Sequence, residues 1–467
     1  MRVKDYIAPP PKPAKPSNLF PRLWRKFTTG STNRQVFGAT ATIAVLTSVA
    51  KLASVAKELL VARRFGTGGT IEAYLVALLI PLLAINVIAS SFSIALIPSY
   101  IHVRDRDGKE AAQRLLSGVT VWSLILLGLT TLVVLITGRL YLPFLASGFN
   151  ETKLKLAFQL LCVVSPIIVL SGIANIWGAV LNSAERFALV ALAPIITPSV
   201  TVAVLLIIRY SIFALPIGMV LGAAFETAML GIALKIRGIS LRPRWHGFDF
   251  HLERVFGQFG PRVGANLLRS GSTVVDRSFA ATLSPGSVAA LSYGNRIIGT
   301  LLTIAATAIG TAITPYYSKM ISHKDWTGAR RTLKQYLVIL FLLSIPVVIV
   351  LYFSAIPVTR LVFQRGSFRA RDTILVAHVH AFYVFQIPFS IGNVLVTRLL
   401  TSLLASRIIL WAAAMSLVLN IVLDLLFMRL LGVAGIALAS SCASLVVLCF
   451  LFYYTQRLLR QRTDMTG

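Results

Sequence analysis

The chain is short of charge, and shorter still of acid. Asp, Glu, Lys and Arg make up only 13% of 467 residues, and the 45 basic residues face just 16 acidic ones. A soluble domain carries about a quarter charged residues. With 56% hydrophobic residues and a mean hydropathy of +0.80, the composition excludes a water-soluble globule and indicates a polytopic membrane protein. Cysteine is scarce as well. Cys162, Cys442 and Cys449 sit in hydrophobic runs without CxxC or metal-ligand spacing, and are expected to be small core residues. His378 and His380 form a lone HxH with no cysteine or carboxylate ligands nearby, so neither a metal nor a cofactor is expected. A cleavable signal peptide is not expected either, because no apolar core follows the basic start. The longest external loops, around 139–153 and 357–372, are short, and the second offers only Asp372 as an acid. A membrane enzyme would show a large extramembrane loop or a catalytic carboxylate/His cluster, so no enzyme is expected.

What the chain has is hydrophobic length. Breaking it at charged and Gly/Pro/Asn clusters gives about twelve segments, near 36–62, 71–99, 112–138, 154–182, 187–208, 212–234, 255–282, 286–318, 332–356, 373–402, 407–428 and 433–456. Each can cross ~30 Å of hydrocarbon as a helix. The first 35 residues are a basic, Pro-rich tail, within which LFPRLWRKF could lie on an anionic membrane surface or simply be unpacked. The tails and even-numbered loops hold 27 Lys and Arg, the odd-numbered loops 11. The positive-inside rule then places both termini in the cytoplasm. The net charge of +29 is thereby a topology signal and a contact with anionic membrane lipids, and nucleic acid is not an expected partner.

An internal repeat divides the spans. ALIPSYIHVRDRDGKEAAQRLL (95–116) is similar to AITPYYSKMISHKDWTGARRTL (312–333), aligning Pro98 with Pro315, Tyr100 with Tyr317, Ala112 with Ala329 and Arg114 with Arg331. An offset of six helices preserves orientation, so the expected fold is all-α, two parallel six-helix lobes around a central cavity. The expected organisation is a tail over 1–35, lobes over 36–236 and 255–456, a basic linker over 237–254, and a tail over 457–467.

Seven basic residues lie inside the spans and more than two residues from either end: Lys51, Lys57, Arg262, Arg269, Arg277, Arg296 and Arg398. On a helical wheel Thr40, Thr47, Lys51, Ser54 and Glu58 form one stripe of span 1. Arg262, Asn266, Arg269, Thr273 and Asp276 form another on span 7. Two matched polar stripes are expected to face each other across water. Asp424 is expected to pair with Arg398. Glu58, Glu72, Glu226, Asp276 and Asp424 are too few to neutralise the cations, which points to an anionic substrate. Arg over Lys in the second half favours phosphate or carboxylate. Glu226 reads either as an ion or proton site or as a partner for an arginine.

With those residues in view, the sequence resembles the MviN/MurJ lipid II flippases, within the superfamily of polysaccharide and drug exporters. SVAKLASVAKELLVARRFGTGGTIEAYLVALLIP looks like the family's opening, with Lys51, Lys57, Glu58, Glu72 and Pro81 in its characteristic places. VDRSFAATLSPGSVAALSYGNRI is similar to its seventh and eighth helices, with Arg296 on the cavity arginine. LVFQRGSFRARDT resembles its external loop before helix ten, and LNIVLDLLFMRLLGVAGIALASS its late Asn/Asp and Gly pattern. Lysines stand at 51 and 57 where arginines are usual, Ile85–Ser90 lacks the usual helix-two charges, and no acid follows Arg296. The chain also carries about twelve spans, without the family's final pair.

The resemblance implies a flippase that moves an undecaprenyl-pyrophosphate-linked sugar between leaflets of the bacterial inner membrane by alternating access. It implies a diphosphate site at Arg296, Arg269, Lys51, Lys57 and Arg262. Glu58, Asp276, Arg277, Asn266, Thr273 and Ser54 would line or brace the cavity. Cell-envelope biosynthesis proteins are possible partners. An exopolysaccharide or O-antigen carrier lipid remains an alternative substrate. A cation-coupled drug exporter fits less well, since its cavity should be acidic.

Overall fold

The computed structural model describes residues 32–184, 187–208, 211–245 and 247–464. The Pro-rich stretch before Thr32, with LFPRLWRKF, and the side chain of Thr40 lie outside the described residues. Among those described, every element is helical. The first group comprises α1 (Thr32–Phe65), α2 (Gly69–Ala77), α3 (Leu79–Ala84), a π-helical turn (Ile85–Ala89), α4 (Ser90–Arg106) and α5 (Gly108–Leu145). It continues with α6 (Glu151–Val164), α7 (Ile167–Ser183), α8 (Phe187–Leu192), α9 (Ile196–Ile207) and α10 (Ala214–Lys235). The second group is α11 (Phe250–Thr282), α12 (Ser287–Ser322), α13 (Trp326–Phe353), α14 (Ala355–Phe363), α15 (Ala370–Val384), α16 (Gln386–Ser402), α17 (Ser406–Leu431) and α18 (Val433–Asp464).

Among the described residues, nine helical rods are long and apolar enough to cross a membrane, and α15 with α16, bent by 41°, forms a tenth. The rods α1 and α11 complete twelve. They are long enough but carry most of the intramembrane charges. The observed rods follow the predicted spans closely, because a bilayer demands apolar runs of one length. Helix α18 continues to Asp464, so most of the predicted C-terminal tail is helical.

The repeat is visible in packing. Pro98 lies inside α4 and Pro315 inside α12. Tyr100 and Tyr317 are both buried, as are Ala112 and Ala329. Each set belongs to its own lobe's core. A third core is shared: Val61, Ile71 and Tyr74 of the first group join Val288, Phe368 and Val376 of the second. The lobes therefore meet at the face carrying the α1–α2 turn, and toward the opposite face the second group reaches into the first lobe's core through Leu252 and Val255 of α11. Cys162 and Cys449 are exposed on the helix surfaces rather than in the core. On a membrane rod that position is still apolar, because lipid surrounds it.

At the shared face the lobes are latched by polar and backbone contacts. Thr67 Oγ1 donates to Asp372 Oδ1 at 2.5 Å, and Ser367 N donates to Arg63 O at 2.7 Å. Gly66 and Gly366 both take positive φ, 54° and 62°. A Cβ on Gly66 would stand 2.6 Å from Ser367 O, and one on Gly366 2.3 Å from Arg63 O. Only glycine allows both the backbone turn and this approach. Glu72, 1% exposed, accepts from Val288 N at 2.9 Å and from Lys153 Nζ at 2.6 Å. It thereby caps the start of α12 from the other lobe.

Candidate functional site

Between the lobes lies a cavity of about 370 Å³. Helix α1 supplies Lys51 and Ser54 from its polar stripe, with Val55 beside them. Helix α11 supplies Thr273, Asp276 and Arg277, and α12 supplies Ser292, Asn295, Arg296, Gly299, Thr300 and Thr303. Tyr383 of α15 closes one side. Three cations and one carboxylate therefore line it, in a low-dielectric surround where such charge is costly unless a partner arrives.

Arg296 is held by Glu58, whose Oε1 accepts from Nη2 at 2.5 Å across the lobe boundary. The same oxygen takes Lys57 Nζ at 3.0 Å. One carboxylate thus serves two cations, and the Arg296 side chain remains 40% exposed. The hydroxyls of Thr300 and Thr303 donate back to the α12 carbonyls of Arg296 and Gly299, at 2.8 and 2.7 Å. They keep that wall polar without adding charge.

The structure therefore brings Lys51, Ser54, Thr273, Asp276, Arg277 and Arg296 to one cavity, with Lys57 and Glu58 one contact away. It does not bring Arg262, Arg269 or Asn266 into the lining. The first half of α11 packs on α4, where Phe92 stacks on Phe259 with ring centroids 4.1 Å apart. There Asn266 Nδ2 donates to Ser91 Oγ at 3.0 Å, while Arg269 is exposed one turn before Thr273. Of the predicted stripe only Thr273 and Asp276 reach the cavity, while Asn266 is spent on the neighbouring lobe.

The pairing of Asp424 with Arg398 does not occur. Arg398 lies against Gly310, where a Cβ would come 2.7 Å from Nη2. Asp424, fully buried, instead meets Asp276 between α11 and α17. Asp276 Oδ2 also accepts from Ser440 Oγ at 3.4 Å. Asp276 Oδ1, both Asp424 oxygens and Asn420 Oδ1 have no other partner. Two carboxyl groups in contact away from water need a proton or a small cation between them. This cluster has the chemistry to hold one. No group of three or more His, Cys, Asp or Glu with metal-binding geometry occurs among the described residues.

Glu226 sits elsewhere, in a separate pocket of about 240 Å³ inside the first lobe with Asn175 and Asn182. It accepts from Thr197 Oγ1 at 2.6 Å, so its partner is a hydroxyl and not an arginine. Sequence reasoning found Arg296 but missed the rest of the α12 wall and Tyr383. The α12 wall was readable: Ser292, Asn295 or Arg296, Gly299 or Thr300, and Thr303 recur at steps of three and four.

These features were compared with known proteins. The family model described as lipid II flippase MurJ matches residues 61–465. A probable lipid II flippase MurJ of Synechocystis sp. is 26% identical, covering 92% of this chain and 83% of its own length. Lipid II flippase MurJ of Burkholderia cenocepacia is 26% identical, covering 86% and 80%. Among solved structures, a lipid II flippase MurJ in an inward closed conformation aligns with TM-score 0.75 at 21% identity, covering 89% and 87%. An inward-facing MATE-family multidrug transporter of the MOP superfamily aligns with TM-score 0.78 at 13% identity, covering 91% and 100%. The two structural likenesses establish the fold. The family match, over most of the chain, establishes the kinship: the chain belongs to the MurJ family of lipid II flippases.

Proposed function

We propose that this protein moves lipid II, an undecaprenyl-pyrophosphate-linked sugar, across the bacterial inner membrane by alternating access. The observation that carries this reading is the cationic cavity of Lys51, Arg277 and Arg296 at the lobe boundary. Guanidinium groups match a diphosphate bidentately and a low-dielectric wall strengthens the contact. Both termini are assigned to the cytoplasm by the positive-inside asymmetry, which puts the latched face in the periplasm. The cavity then receives substrate from the cytoplasmic leaflet. The lobes are taken as 36–236 and 255–456, joined by the linker 237–254. The protein acts as a transporter and not a catalyst, beside cell-envelope biosynthesis proteins.

The ion-pair geometry suggests how binding is linked to opening. In the latched state Glu58 of α1 holds Arg296 of α12. A diphosphate that engages Arg296 competes with Glu58, which retains Lys57. The anion thereby weakens one of the contacts that closes the periplasmic face. The Asp276–Asp424 cluster, and separately Glu226, are the candidate sites for a driving proton or cation. Arg262 and Arg269, exposed or half-buried along α11, could meet the headgroup on its way in.

The test is rescue of a bacterial host depleted of its own lipid II flippase, by wild type and by Arg296→Ala, with membrane levels of both measured. Rescue by wild type alone supports lipid II transport through a required arginine. Rescue by both removes Arg296 from the binding site. Failure of a well-expressed wild type would turn the assignment to an exopolysaccharide or O-antigen carrier lipid.

A further inference from the structure

A second basic site lies far from the cavity, where the segment after α10 runs back along α5. Gln113 and Ser240 exchange two hydrogen bonds: Gln113 Nε2 donates to Ser240 O at 2.7 Å, and Ser240 N donates to Gln113 Oε1 at 3.1 Å. Ser117 and Arg244 do the same, Oγ to Arg244 O at 2.7 Å and Arg244 N to Oγ at 2.6 Å. These two clamps hold the extended segment against the helix. Arg104 is also fixed, its Nη1 donating to Ser183 O at 3.0 Å. The result is a groove of about 740 Å³ lined by Arg104, Lys109, Arg114, Arg237 and Arg244 with one acid, Glu110, while Arg104 Nε also pairs with Asp105 Oδ1 at 2.9 Å.

The groove sits at the edge of the hydrocarbon. Along α5, exposed apolar residues run from Ile125 to Phe144. From Trp122 to Phe144 the helix rises about 33 Å, one hydrocarbon thickness. Trp122 packs edge-on against Trp245 and Phe248, with centroids 6.0 and 5.7 Å apart. Trp245 is 50% and Phe248 56% exposed, as aromatic residues at a membrane interface are. The basic groove begins one to two turns beyond this aromatic edge.

The repeat supplies an internal control. Gln113 corresponds to Arg330, whose Nε donates to Gln456 Oε1 at 2.6 Å. In the second lobe the last helix runs straight on past this contact to Asp464. In the first lobe the helix stops at Lys235 and the chain turns along α5. The groove is therefore a departure from the repeat, and general basicity of one membrane face does not account for it.

We propose that this groove binds the headgroup of an anionic membrane phospholipid, with its phosphates among Arg104, Arg114 and Arg244 and its acyl chains beside Trp245 and Phe248. With Asp105 counted, the net charge is near +3, which suits a lipid with two phosphates better than one with a single phosphate. The proposal rests on the membrane-spanning fold and not on the identity of the transported substrate.

The test uses the full-length protein in zwitterionic nanodiscs, titrated with diphosphatidylglycerol, phosphatidylglycerol or soluble pyrophosphate, with bound lipid counted by native mass spectrometry. Two doubles are compared, Arg114→Gln with Arg244→Gln, and Lys324→Gln with Arg331→Gln at the corresponding corner of the second lobe. The first double is expected to bind diphosphatidylglycerol about thirtyfold more weakly, about 1 kcal/mol per removed charge at 1.4 kcal/mol per tenfold. The second should stay within about twofold. Equal loss in both would reduce the groove to unspecific surface charge and overturn the proposal. Pyrophosphate displacing the lipid at equal concentration would overturn the lipid as occupant, and so would stronger retention of undecaprenyl pyrophosphate than of diphosphatidylglycerol. If the first double does not fold, Lys109→Gln with Arg114→Gln, both exposed on α5, carries the same expectation.

Discussion

Glu72→Gln separates what closes the lobes from what stabilises one of them. Glu72 makes two contacts of different reach: Lys153 Nζ at 2.6 Å within its own lobe, and Val288 N at 2.9 Å across the boundary. The amide keeps an oxygen for Val288 but loses the charge. A hydrogen bond to a charged group contributes about 1.5–3 kcal/mol and a neutral one about 0.5–1.5, so the boundary loses about 1–1.5 kcal/mol. The odds of the periplasmic face being open should rise about five- to twelvefold. The Lys153 contact is present whether the face is open or closed, so its loss lowers thermal stability without moving that equilibrium. Breaking a buried pair by removing one charge costs about 3 kcal/mol or more, although Lys153 keeps the Phe149 ring 3.5 Å away.

The assay is the distance distribution between spin labels at Lys155 and Arg371, both exposed, in a background with Cys162, Cys442 and Cys449 replaced. Glu72→Gln should enlarge the open population, whereas Lys153→Met should lower the melting temperature and leave the distances alone. An open population unchanged within about twofold in Glu72→Gln, or equal opening in Lys153→Met, would refute the latch.

Gly148→Ala should open the same face more strongly, measured with the same labels. Its Cβ would stand 2.4 Å from Ala281 O, a backbone atom of the other lobe that cannot move aside as a flexible side chain would. Asp424→Asn should reduce the dependence of thermal stability on small monovalent cations. Wild type should melt earlier when sodium is replaced by choline, and the variant should lose most of that response; equal responses in both would remove the carboxyl cluster from any exchange role.

Much of this was legible because the bilayer enforces it. Twelve apolar runs had to be helices of one length, and polar residues recurring every three or four positions had to share a face. That reasoning placed Lys51, Ser54, Thr273 and Asp276 on the cavity before any coordinates. It failed where a periodic face changes neighbour along its length. Helix α11 spans about 50 Å, so Asn266 meets Ser91 of the other lobe while Thr273 reaches the cavity, and no wheel distinguishes the two levels. It failed again at Asp424. Opposite charges in a membrane invite pairing, and Arg398 was the obvious partner on a nearby span. The structure instead puts the carboxyl group against another carboxyl group, and a like-charged contact follows from no rule of stability. Such an arrangement persists when something outside the sequence, a proton or a cation, completes it. The place where charge-pairing logic broke down is thus the place where an exchangeable ion is most strongly called for.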